Sequence, residues 1–143
     1  MRLLARLNLL PSWAELVVLA LTLAVIYLGS AIPPRDFPDL RIFDYDKLLH
    51  LTEYTGLGLA LWVAGRRRWL GGLQRLTESP LLALLLGVVV PGALWGASDE
   101  LHQLAVGRDC SIWDWLADLG GLLLAVLLVR LAERREAGRS IEA

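Results

Sequence analysis

Four apolar runs constrain this chain more than any other feature. Leu16 to Ile32 is 17 residues without a charged side chain, and Pro33-Pro34, which cannot continue a helix, follows it. A second run extends from Leu48 to Gly65, interrupted only by His50 and Glu53. The third, Pro80 to Ser98, has no charge, and Pro91 within it predicts a kink that a membrane helix tolerates. The fourth, Ile112 to Leu131, carries Asp114 and Asp118 in its first two turns. At ~1.5 Å per residue each run is about long enough to cross a hydrocarbon core of roughly 30 Å. The chain therefore reads as one domain, residues 1–143, with spans at about 14–32, 48–65, 81–105 and 112–132. The expected fold is an all-α membrane protein, an antiparallel four-transmembrane-helix bundle with short connections. Gly29-Ser30-Ala31 also resembles a signal-peptide cleavage site, but the preceding apolar stretch is longer than the usual ~7–15 residues, which favours a retained span.

Composition agrees: 56% of residues are hydrophobic and mean hydropathy is +0.54, which excludes a disordered chain and an ordinary nucleic-acid binder. A single cysteine, Cys110, excludes an intrachain disulfide; beside Asp109 it reads as incidental. Orientation follows from Lys and Arg. Ten of the fourteen basic residues belong to the N-terminus, the second loop (Arg66, Arg67, Arg68, Arg75) and the C-terminus, and four (Arg35, Arg41, Lys47, Arg108) to the other side. Five acidic residues accompany the ten and ten accompany the four, for net charges of +5 and −6. Both termini are thus expected in the cytoplasm, the protein being multi-pass in its membrane. Trp13, Trp62 and Trp69 fall near the inner interface and Trp113 and Trp115 near the outer one, with Arg66–Arg68 as the ordinary inner anchor.

The polar residues that interrupt the helices gather at the outer end. Helix 2 opens with Asp46, Lys47, His50, Glu53 and Tyr54; helix 3 closes with Asp99, Glu100, His102 and Gln103. The connecting loop supplies Arg108 and Ser111, and helix 4 re-enters with Asp114 and Asp118. Lys47, His50 and Tyr54 share one stripe, Asp99, His102 and Gln103 another, and Asp114 and Asp118 a third. Ionisable groups at membrane depth turn toward a bundle interior or a wet cavity, so a polar pocket open to the outer face is expected. Five carboxylates there (Glu53, Asp99, Glu100, Asp114, Asp118) face two fixed cations, Lys47 and Arg108. Protonated carboxylates, charged histidines or a bound cation must restore the balance. A divalent metal held by some of His50, Glu53, Asp99, Glu100, His102, Asp114 and Asp118 is one such solution, although no familiar zinc spacing is present. Plainer roles compete: Ser111-Ile-Trp-Asp114 fits a capping box, Asp44 and Asp46 suit the start of helix 2, and Lys47 and Arg108 suit structural ion pairs.

Read in order, Asp46-Lys47, His50 and Tyr54, then Glu100 and Gln103, then Gly107-Arg108 and Ser111, then Asp114, Asp118 and Gly121 resemble the VanZ-like family of small bacterial membrane proteins. The likeness covers about Asp44 to Leu124 and departs at Asp118, where many members carry Asn. It implies a four-helix protein, multi-pass in the bacterial cytoplasmic (inner) membrane with the pocket facing outward, and a role like that of the namesake, which is linked to teicoplanin resistance at the cell surface.

Three functions fit the residues. The first is a hydrolase or transferase acting on a lipid-anchored or envelope substrate. Its catalytic set would be drawn from His50, Glu53, Asp99, Glu100, His102, Asp114 and Asp118, with Lys47, Tyr54, Gln103, Arg108 and Ser111 binding the ligand. The second is a non-catalytic binder of an anionic lipid or lipopeptide, and the third a cation- or proton-coupled transporter. The lipid bilayer and a lipid-linked envelope molecule are the expected partners. Gly56-Leu-Gly58 and Gly120-Gly121 would permit close helix approach within one chain or in a homo-oligomer.

Overall fold

The computed structural model describes residues 7–32 and 46–141; Pro33-Pro34, Arg35, Arg41 and Asp44 lie outside the described residues. Every regular element among them is helical: α1 (Ser12–Ser30), α2 (Asp46–Gly65), α3 (Leu70–Thr77), α4 (Pro80–Leu84), α5 (Val90–Ala105) and α6 (Ile112–Ile141), with a π-turn at Leu85–Val89 joining α4 to α5. Three helices are long and apolar enough to cross a membrane: Ser12–Ser30, the continuous Pro80–Ala105 and Ile112–Arg139. The outward faces of α1 and α5 are studded with residues such as Leu21, Val25, Leu28, Leu94 and Leu101. Exposed apolar surface of that extent marks a membrane-embedded protein.

Four apolar spans were expected and three are found. Asp46–Gly65 falls short because its N-terminal half is polar, and that polarity is turned inward: His50 and Tyr54 are buried, along with Leu57, Leu61 and Trp62. The last helix runs past the span expected at 112–132: no proline follows Leu131, and the Arg-, Glu- and Ala-rich sequence beyond it carries α6 on to Ile141.

α2 is the central helix, and its most extensive contact is with α6. Both helices start at the same end, so this closest pair is parallel, whereas chain neighbours run antiparallel. Missing side chains set the approach. A Cβ on Gly121 would strike the Leu51 carbonyl oxygen and lie 2.8 Å from the Thr55 nitrogen, and one on Gly58 would lie 2.6 Å from Ala125 Cβ. The Thr55 hydroxyl also reaches the Gly121 carbonyl at 3.2 Å. Gly56, in contrast, faces open space. Close approach at Gly58 and Gly121 is therefore made within the chain. Around this pair the core gathers Ile26, Tyr54, Leu57, Leu122, Val126 and Val129.

At Pro91 the irregularity takes a defined form. Proline has no N–H for the Gly87 carbonyl four residues back, and the Trp69 indole N–H donates to that oxygen instead, at 3.0 Å. The Val90 N–H reaches back to Leu85, closing the π-turn. Trp69 is thereby built into the fold beside α3, a short helix in what reads from the sequence as a loop. Helix α4 opens on a Ser79 cap, whose hydroxyl accepts from the Leu82 N–H at 3.2 Å, and on Pro80 in the first turn.

Candidate functional site

The N-termini of α2 and α6 and the C-termini of α1 and α5 meet at one end, and the polar residues meet with them. Asp46 lies in the first turn of α2 and Asp114 in that of α6, where the helix dipoles favour negative charge. Lys47 Nζ joins the two, 3.3 Å from Asp46 Oδ2 and in direct contact with Asp114 Oδ1. One turn deeper, His50 Nδ1 and Asp118 Oδ1 are 2.9 Å apart, with Asp118 only 1% exposed. The other imidazole nitrogen lies 3.9 Å from Asp46 Oδ1. The Gly121 approach of α2 to α6 is what sets His50 against Asp118.

The remaining groups come from α5 and the loop after it. Glu100 is buried and accepts the Ser111 N–H at 2.7 Å and the Gln103 amide at 3.4 Å. That contact bears on the capping box expected at Ser111 and Asp114. The Ser111 N–H that Asp114 would accept is donated to Glu100, and Asp114 is engaged by Lys47. The buried Asp99 accepts a hydrogen bond from the Ser30 hydroxyl at 2.6 Å, which ties the end of α1 into the site. His102 stacks on Tyr27 of α1, ring centroids 4.5 Å apart. A cavity of about 140 Å³ opens among these groups, with Asp46, His50, Glu53, Asp99, Gln103 and Arg108 as its polar lining. Ile26 and Glu53 also border a separate apolar groove on the flank of α1, formed by Val18, Leu21, Thr22 and Val25.

Of the residues singled out in the sequence, His50, Glu53, Asp99, Gln103 and Arg108 therefore share one cavity. Asp118 and Tyr54 lie buried beneath His50 and beside Gly96, Asp114 is paired with Lys47, Glu100 and Ser111 form a second contact, and His102 stands apart. Donor atoms of His50, Glu100 and Asp118 all lie within 4.8 Å of one another, as do those of Asp46, His50 and Asp114. Sequence reasoning assigned Asp46 to a helix start and passed over Ser30. Asp46 stands one turn before His50, a spacing that places both on one face; Ser30 gave no such signal.

The opposite end holds a second polar cluster that the sequence did not reveal. Glu15 is completely buried, with Arg66 Nη2 at 2.5 Å, Arg68 Nη1 at 2.9 Å and Arg67 Nε at 3.3 Å. The same guanidinium groups donate to the carbonyls of Leu7, Asn8, Leu10 and Ser12. The arginine run thus holds the start of α1. No family model, curated protein or solved structure matches the chain.

Proposed function

We propose that this chain is a four-span protein of the bacterial cytoplasmic membrane, similar in role to the VanZ-like family, with the His50 end facing outward. On this reading it acts on the polar head of a lipid-anchored or other envelope substrate, as a hydrolase or transferase. The observation that carries the reading is the buried His50–Asp118 pair, whose imidazole opens on a cavity lined by Asp46, Glu53, Asp99 and Arg108. A carboxylate that orients an imidazole is the usual arrangement for a general acid or base. Arg108 supplies a fork suited to a phosphate or carboxylate. The groove beside Glu53 offers an apolar path for an acyl chain next to the head-group cavity. The fourth span is α2, shielded from lipid by its neighbours on the face that bears its ionisable groups. The basic bias of the opposite end supports the orientation.

The test is teicoplanin susceptibility in a host expressing the chain. His50→Ala and Asp118→Asn should each abolish any protection while the protein accumulates in the membrane at wild-type levels; full protection from both variants rejects the catalytic assignment. Orientation has its own reporter, because Cys110 is the sole cysteine and is exposed beside the site. A membrane-impermeant maleimide should label it in intact spheroplasts. Labelling only after lysis would invert the topology. The adjoining groove also favours a non-catalytic binder of anionic lipid or lipopeptide. In that case Arg108→Ala should weaken ligand retention more than Asp118→Asn does.

A further inference from the structure

We infer that His50, Glu100 and Asp118 hold a divalent first-row metal ion, Zn²⁺ or Mn²⁺. The inference deepens the functional reading above, but metal occupancy is measured independently of it. One donor atom from each of the three side chains lies within 4.8 Å of the others, and all three residues are buried. Bonds of about 2.0–2.2 Å in a tetrahedral shell set the donor atoms roughly 3.4 Å apart, a small adjustment that the χ angles of Asp and Glu supply.

Two orphaned atoms point to the same place. Asp118 Oδ2 and the Tyr54 hydroxyl are both buried and, among the described residues, have no hydrogen-bond partner. Such groups are rare in folded proteins because each carries an unrecovered desolvation cost. They border the same glycine: a Cβ on Gly96 would lie 2.9 Å from Asp118 Oδ2 and 3.3 Å from the Tyr54 hydroxyl. Gly96 therefore lets both oxygen atoms approach the α5 backbone closely, beneath His50. The local charge calls for a cation as well. Lys47 is committed to Asp46 and Asp114, which also makes the alternative Asp46–His50–Asp114 set the weaker candidate, since an ammonium already lies against its two carboxylates. One imidazole with two carboxylates suits Zn²⁺ or Mn²⁺ better than the all-oxygen shells of Mg²⁺ or Ca²⁺.

The test uses the full chain in detergent, incubated separately with Zn²⁺ and Mn²⁺, gel-filtered, and assayed for metal by elemental analysis. The wild type and a distant control, Glu133→Gln, should each retain about one ion per chain for the metal that fits, while His50→Gln, Glu100→Gln and Asp118→Asn should lose affinity by roughly 10-fold or more. A wild type that retains neither metal, or folded variants that retain as much as the wild type, would overturn the site. X-ray absorption on the metal-loaded wild type covers variants that fail to fold. An imidazole nitrogen in the shell supports the site and a shell of oxygen alone rejects it. Metal that depends on His50 without any effect on susceptibility would keep this site and reject the functional reading; His50-dependent protection by a metal-free chain would do the reverse.

Discussion

The two ends of the bundle solve the problem of buried charge in opposite ways. At the arginine end a single carboxylate, Glu15, meets three guanidinium groups, and their remaining N–H groups go mainly to backbone carbonyls of residues 7–12 and 64. The arginines retain partial exposure and reach water, so nearly every polar atom there is satisfied, Arg66 Nε being the exception. At the other end six carboxylates (Asp46, Glu53, Asp99, Glu100, Asp114 and Asp118) gather around Lys47, His50 and Arg108, and two oxygen atoms are left without partners. A cluster with its donors and acceptors matched holds helices together and leaves little for a ligand to engage. One with unmatched oxygens is costly to fold and ready to bind.

The largest predicted effect falls on the matched end. Glu15→Ala strips the counter-charge from three arginines and should lower stability by about 3–5 kcal/mol, the usual result of removing one member of a buried ion pair. Thermal unfolding in detergent measures it, and a change within error of the wild type would show that the arginines manage with water alone. Next comes Gly121→Ala, whose new methyl meets the backbone of Leu51 and Thr55 and must push α2 away from α6. About 1–3 kcal/mol of destabilisation is expected, and under the proposed function any protection against teicoplanin is lost because His50 no longer faces Asp118. A stable Gly121→Ala protein with unchanged protection would mean that the helix approach does not set the site. Trp69→Phe removes the donor to the Gly87 carbonyl while keeping most of the packing, and should cost about 1 kcal/mol with the site unaffected. A loss of protection from that substitution would show the two ends to be coupled.

How much of this was legible in the sequence depends on how local each feature is. Helical period alone set Lys47, His50 and Tyr54 on one stripe and Asp114 and Asp118 on another, and both stripes are found facing the shared cluster. Pairings between helices carry no such period. Nothing in the order of residues places Ser30 on Asp99, His102 on Tyr27 or Glu15 under three arginines, since each depends on how far one helix slides along the next. The glycines show the same divide. Gly56-Leu-Gly58 and Gly120-Gly121 signalled close approach, but only the packed helices distinguish Gly58 and Gly121, which are crowded, from Gly56, which is not. Amphipathic α3 was missed because it is only 8 residues long and lies between an arginine run and a proline.

The contrast between a matched end and an unmatched one is the central claim, and one paired measurement tests it. The thermal unfolding of Asp118→Asn and Glu15→Gln should be compared with the wild type, in detergent and with a chelator present. An amide at position 118 keeps an acceptor for His50 and removes a negative charge from the crowded cluster, so its midpoint should equal or exceed that of the wild type, while that of Glu15→Gln should fall. An Asp118→Asn protein that loses as much stability as Glu15→Gln would contradict the account, making the His50 end a structural ion-pair network like its opposite.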